Sequence, residues 1–243
     1  MKIALLCPTR ERPKDIKRLI DSILNTVNNI DNVILYLGVD EDDPTKPNIL
    51  KLEQEYNFVK WIPIHNGGKF LGLGKIWNLI AAEVKEEIFS MIGDDMVFET
   101  KDWDLEILKE FKDTKIKLVH FNDCLRGPGN HYSDVHVLPV NSFIHRIYYD
   151  TFGYYTTEHF KHGYHDDYLN DVYTMIGRKV YRHDIRLNHL HVCNPNSGAA
   201  IDKTTQNLNL AYASIANPQA LYDSLLPERK EQAKKLKELL EAE

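Results

Sequence analysis

Ile88-Phe89-Ser90-Met91-Ile92-Gly93-Asp94-Asp95-Met96-Val97-Phe98 is the stretch on which the reading of this chain turns. An apolar run with a single serine leads directly into two carboxylates. Such a run reads as a buried strand that delivers acids to the edge of a sheet. Open α/β sheets bind ligands at the carboxyl ends of their strands. Two adjacent carboxylates repel each other there, and a divalent cation relieves the repulsion. Oxygen donors suit magnesium or manganese. A solvated turn that begins with acids fits the same residues, because Asp is common in turns.

Upstream, three more strands are expected. Lys2–Cys7 runs into Pro8-Thr9-Arg10-Glu11-Arg12-Pro13, and apolar residues at helical spacing predict a helix over 14–27. A loop with Thr9, Arg10, Arg12 and backbone amides near a helix start suits an anion or a nucleotide. It also suits a plain exposed basic loop. Val33–Val39 is the second strand and ends in Asp40-Glu41-Asp42-Asp43. One carboxylate at that strand end can accept a hydrogen bond from a base imide or a ribose hydroxyl, or the loop is simply solvated. Val59–Ile64 is the third strand. The following helix, 75–85, places Lys75 and Asn78 three apart on one face. Its glycines are not spaced as a phosphate loop. Four strands alternating with three helices make an α/β half with a largely parallel sheet.

Downstream the pattern loosens. A helix is expected over 103–112, a strand over 118–122, a loop over 124–131, and a proline-interrupted edge strand over 135–140. Ser142–Phe152 reads as strand or short helix. The aromatic and His-rich segment 143–168 suits either an acceptor platform or a core. A helix over 166–176 begins with Asp166 and Asp167, where the dipole favours negative charge and capping alone explains one Asp. In a strand, His189 and His191 share a face, which suits a metal. Residues 194–198 read as a turn and 203–215 as a helix. The segment 228–243 is a charged helix whose narrow apolar stripe suits docking on the domain or on a second subunit of a homo-oligomer.

The bulk numbers fit one large domain or one domain with an appendage: 243 residues, 43% hydrophobic, net charge −6. Mean hydropathy is −0.42. Three scattered cysteines argue for a reducing compartment and against a zinc site or disulfide framework. No apolar run approaches a membrane span, and the start does not read as a signal peptide, so a cytoplasmic protein is expected. Net acidity argues against a large nucleic-acid footprint, although a local basic face remains open.

Over residues 1–195 the order of these elements resembles the GT-A fold of nucleotide-sugar glycosyltransferases, near the large inverting family 2. The resemblance implies a Rossmann-like, mostly parallel mixed sheet flanked by helices. It implies one catalytic domain over 1–215, with a donor half over 1–98, an acceptor half over 99–200, and a helical appendage over 216–243. Pro8, Thr9, Arg10 and Arg12 then match the opening nucleotide loop, Asp40 the uracil contact, and Lys75 and Asn78 the helix that flanks the nucleotide. Gly93-Asp94-Asp95 matches the DXD-type metal motif, although it reads G-D-D. Asp95 is the first choice as metal ligand, with Asp94 touching ribose or the metal's water. His189 or His191 completes the site, and Asp166 or Asp167 is the base, its strength lowered by the helix dipole. The implied function is transfer from a UDP-sugar to an acceptor hydroxyl with Mn2+ or Mg2+, in a stand-alone bacterial or phage enzyme. Glycan, lipid-linked sugar, protein and modified DNA remain open as acceptors. The rivals are a nucleotidyltransferase and a non-catalytic nucleotide-sugar or glycan binder.

Overall fold

The computed structural model describes residues 1–125, 138–192, 197 and 201–243. Its centre is strand β1 (Ile3–Thr9), almost wholly buried. That burial on both faces explains its unbroken apolar run. Pro13 then starts α1 (Pro13–Thr26), where proline costs no hydrogen bond. The half continues through β2 (Val33–Asp40), α2 (Lys46–Glu55), β3 (Val59–Ile64), α3 (Leu73–Glu83) and β4 (Ile88–Met91). All of its strand pairs are parallel: β1 with β2 and β4, and β2 with β3. Pro63, which cannot donate to a ladder, lies on edge strand β3.

The second half comprises β5 (Met96–Phe98), α4 (Trp103–Glu110), β6 (Leu118–Asn122), β7 (Phe143–His145), α5 (Ile147–Phe152), α6 (His165–Met175) and β8 (Lys179–His189). Three further helices follow: α7 (Lys203–Ala213), α8 (Pro218–Ser224) and α9 (Leu226–Leu240). Among the described residues eight strands lie in the order β3-β2-β1-β4-β7-β6-β8-β5. Strand β7 runs antiparallel to β4 and β6, and β5 antiparallel to β8. The α/β, mostly parallel mixed sheet flanked by helices is therefore as expected.

Two layers of side chains cover the sheet. Ile16, Leu19, Ile49, Leu52, Trp103 and Ile107, from α1, α2 and α4, pack on one face. Ile76, Ile80, Leu169, Val172 and Leu236, from α3, α6 and α9, pack on the other. The chain thus changes face after β3, and the strand order reverses between β1 and β4. That reversal is a topological switch point, where open α/β sheets leave a crevice.

Several boundaries differ from expectation. Most of the expected loop 124–131, the strand positions 135–137, and the turn 194–198 apart from Ser197 lie outside the described residues. Residues 138–140 form no strand. Proline 139 has no N–H, and its carbonyl accepts from Ser142 Oγ at 2.5 Å in a tight turn. Ser142–Phe152 holds both a strand and a helix. The stripe of α9 is turned onto its own chain, with Ala233 and Leu236 buried.

Candidate functional site

A cleft of about 980 Å³ opens at the carboxyl ends of the strands. Its floor is the switch point itself. Thr9 ends β1 and donates through Oγ1 to Asp94 Oδ2 at 2.8 Å, just past the end of β4. Arg12 Nη1 donates to Asp94 Oδ1 at 2.9 Å. Both oxygens of Asp94 are therefore engaged, and the residue is buried. Burial nevertheless pushes its pKa up to about 6 against the pull of Arg12, and the charge of Asp95 adds to the rise.

Asp95 behaves in the opposite sense. Burial, the largest single influence, would raise it too, but the charge and hydrogen bond of His189 together with the charges of Arg12 and His191 outweigh it. Its pKa is held at about 2. His189 Nε2 lies 3.3 Å from Asp95 Oδ2. The Leu190 amide donates to the Asp95 carbonyl at 2.9 Å, which ties the end of β8 to this turn. A Cβ at position 93 would stand 2.4 Å from Asp95 Oδ1, so Gly93 makes room for the carboxylate to fold back. The His189 and His191 ring centroids are 5.1 Å apart. His191 lies just past the strand rather than in it, yet the pair meets in the cleft.

This donor set can be tested against a divalent metal. Cis ligands of an octahedral ion with bonds of about 2.1 Å stand roughly 3 Å apart. The Asp95–His189 separation matches that spacing. Among the described residues no three His, Cys, Asp or Glu side chains converge to hold a metal unaided. Magnesium-type sites commonly use one or two protein groups and complete themselves with substrate phosphates. The residues fit an ion of that kind.

At the far wall, α6 starts after Tyr164 and presents Asp166 and Asp167 to the same cleft. Here the expectation of a weakened base is reversed. Burial, and then the charge of Asp166, raise Asp167 to about 7, the opposite direction to the lowering expected at a helix start. His165 before them is buried, with no well-formed partner on either ring nitrogen. Burial and the neighbouring His162 push it down to about 3, so it stays neutral. Its ring meets Trp77 edge-on at 5.4 Å, and Trp77 Nε1 donates to the Leu6 carbonyl at 3.1 Å.

Of the residues expected in the site, Pro8, Thr9, Arg10, Arg12, Asp40, Asp94, Asp95, Asp166, Asp167, His189 and His191 line this cleft. Arg10 Nη1 donates to Asp40 Oδ2 at 2.9 Å and Asp42 Oδ1 at 2.6 Å, and Asn66 Nδ2 donates to Asp42 at 2.9 Å. Lys75 and Asn78 do not line the cleft. Lys75 pairs with Glu158 at 3.2 Å. Asn78 donates to the Thr156 carbonyl and accepts from the Tyr155 and Thr156 amides, which clamps a loop instead of a nucleotide.

Asp202, Trp77 and Tyr212 also line the cleft, and sequence reasoning missed them. Asp202 caps α7 by accepting from the Thr205 amide at 2.7 Å. The Asp-x-x-Thr pattern could have marked that helix start, though not its contact with Arg12.

No protein-family model and no curated protein matches the sequence. Solved structures do. The mannosyltransferase PcManGT from Pyrobaculum calidifontis, in complex with GDP-Man and Mn2+, has TM-score 0.63 at 13% identity, covering 99% of this chain and 75% of that one. S. aureus TarS 1-349 in complex with UDP-GlcNAc has TM-score 0.60 at 13% identity, covering 96% and 72%. In the matches to the UDP complex and to the longer TarS chain, this chain spans 59% and 36% of their length. At such identities the likeness is one of architecture: the chain has the GT-A glycosyltransferase fold.

Proposed function

We propose that this protein is a metal-dependent glycosyltransferase that moves a sugar from a UDP-sugar to an acceptor hydroxyl, with inversion. One observation carries the reading. A single cleft at the switch point holds both the Asp95–His189 pair and Asp167, a carboxyl with a pKa near neutrality. The fold neighbours are crystallised with UDP-GlcNAc, or with GDP-Man and Mn2+, which supports a nucleoside diphosphate sugar as donor.

Asp95 and His189 would hold Mn2+ or Mg2+, which when bound neutralises charge on the leaving diphosphate. Arg12 and Thr9 fix Asp94 beneath that position and keep the floor of the cleft in place. Asp40, at the end of β2, and Arg10, just past the end of β1, hold the nucleoside end. Asp167 takes the acceptor's proton as the hydroxyl oxygen bonds to the anomeric carbon. The bond from that carbon to the diphosphate oxygen breaks, and its electrons leave with UDP. A base with a pKa near the working pH is suited to this step. In this reading residues 1–98 carry the donor and 99–200 the acceptor face.

The test is to incubate the protein with a panel of UDP- and GDP-sugars plus Mn2+ and to resolve the nucleotide products. Release of UDP that Asp95→Ala abolishes is the expected result. Pyrophosphate release in a parallel incubation with UTP or GTP and a sugar 1-phosphate would mark a nucleotidyltransferase. Tight UDP binding without turnover would mark a binding protein.

A further inference from the structure

Past the acid pair, the cleft continues onto an aromatic ledge formed by Tyr164 and Tyr212, with Gln219 at its rim. The two rings are nearly parallel, 11° apart, with centroids 6.4 Å from each other. Tyr212 is 39% exposed, on a helix that buries none of its residues. Tyr164 is braced from behind by Phe160 and Tyr222, each with its centroid 4.9 Å away. The Arg229 guanidinium sits 3.8 Å from the Tyr222 ring centroid and backs the stack.

The backbone beneath the ledge is strained. Tyr164 has φ +61° and Gly163 φ +80°. A tyrosine in the left-handed region persists only where its surroundings hold it, and such strain gathers at working sites. A Cβ at Gly163 would stand 3.0 Å from the Tyr212 ring, so the glycine lets that ring lie close against the chain. The other tyrosines of the aromatic segment are committed elsewhere. Tyr148 and Tyr155 are fully buried, and Tyr154 bonds to Glu228 and Gln232.

The charge around the ledge narrows what it can bind. Residues 162–167 with Tyr212 and Gln219 offer two carboxylates, an amide, imidazoles and phenols; the cations that line the cleft, Arg10, Arg12, Arg18, Lys69 and Lys203, come from other segments, and the three arginines and Lys203 are paired with acids there. A flat aromatic face rimmed by such groups suits a sugar ring, whose C–H face stacks while its hydroxyls find polar partners. Clustered carboxylates repel phosphate or sulfate chains.

We propose that Tyr164 and Tyr212 form the acceptor subsite and that the acceptor is a neutral saccharide, stacked on this ledge with its attacking hydroxyl toward Asp167. The role of the hydroxyl rests on the glycosyl-transfer reading above; the binding of the sugar does not.

The experiment is titration of the whole protein with cellobiose, lactose and chitobiose, each with and without UDP and Mn2+, beside a sulfated heparin disaccharide. At least one neutral disaccharide is expected to bind. Tyr212→Ala weakens it about tenfold, a change of about 1.4 kcal/mol. Tyr212→Phe keeps it, and neither variant alters UDP affinity. The proposal is overturned if none of the three neutral sugars binds, if Tyr212→Ala changes nothing, or if the sulfated sugar binds more tightly. Neutral-sugar binding that depends on Tyr212, in a protein that binds no UDP, would leave the ledge standing and sink the donor reading.

Discussion

Arg12 and Asp202, 190 positions apart in the chain, meet through two side-by-side contacts: Nε to Oδ2 at 2.7 Å and Nη2 to Oδ1 at 2.8 Å. The remaining edge of the same guanidinium reaches Asp94 at 2.9 Å. One side chain therefore fixes both the floor of the cleft and the helix that covers it.

Removing that guanidinium strands a buried carboxylate. Breaking a buried pair from one side costs about 3 kcal/mol. Arg12→Ala should lower Tm by roughly 6–12 °C at this size. Helix α7 should also become the first site of cleavage in limited proteolysis. Arg12→Lys keeps the charge but loses the paired geometry, so it should fall between the two. Unchanged protease resistance of residues 201–213 in Arg12→Ala would refute the link.

Turnover should rise with pH and reach half its plateau near pH 7, where Asp167 loses its proton. Asp167→Asn should cut the rate by about 10²–10⁴. Asp166→Asn removes a neighbouring negative charge that helps to raise Asp167, so the midpoint should move to lower pH. A pH–rate profile of the three proteins checks this. A midpoint that stays put in Asp166→Asn would count against the coupling.

The same titration affects stability with a definite sign. The folded state holds the Asp167 proton up to about pH 7, whereas an unfolded aspartate releases it near pH 4. Between those values the folded form binds more protons, so stability falls as pH rises. Asp167→Asn cannot ionise and escapes this loss. It should melt a few degrees above the wild type at pH 8, roughly 2–4 °C for each kcal/mol. The difference should vanish at pH 4. Thermal melts at the two pH values decide the matter, and a lower Tm for the variant at pH 8 would contradict it.

Gly93→Ala should act on the neighbouring carboxylate. The new Cβ would stand 2.4 Å from Asp95 Oδ1, and the side chain must swing away from His189. Mn2+ affinity in the presence of UDP should drop about tenfold or more, as for other disturbed ligand supports. The melting temperature should move little, since the group that yields is the end of a side chain. Calorimetry with Mn2+ and UDP reads the first effect.

The first half of the fold, residues 1–98, was legible because its strands are buried on both faces and bounded by turn residues. Lys2–Cys7, Val33–Val39, Val59–Ile64 and 87–92 each match a strand to within two or three residues. Strand β5 was hidden, because Met96-Val97-Phe98 reads as a tail of the preceding run until the Gly93-Asp94-Asp95 turn divides them. Strand β8 was read in pieces, because Arg182, His183 and Asp184 interrupt its apolar pattern. Spacing placed Lys75 and Asn78 on one helix face but could not say which way that face points, and it points away from the cleft. Asp202 and Tyr212 depend on contacts far along the chain, and no local pattern reports those.

The acid-bearing helix α6 is braced by residues that come about 60 positions later. Tyr168 donates its hydroxyl to Glu228, and Arg229 lies 3.1 Å from Asp171. During synthesis, β1 to β4 can emerge and pair while α9 is still inside the ribosome. A half-made chain thus has the strand ends that floor the cleft without a fixed acid pair. The order of translation separates assembly of the floor from placement of the carboxylates at the far wall.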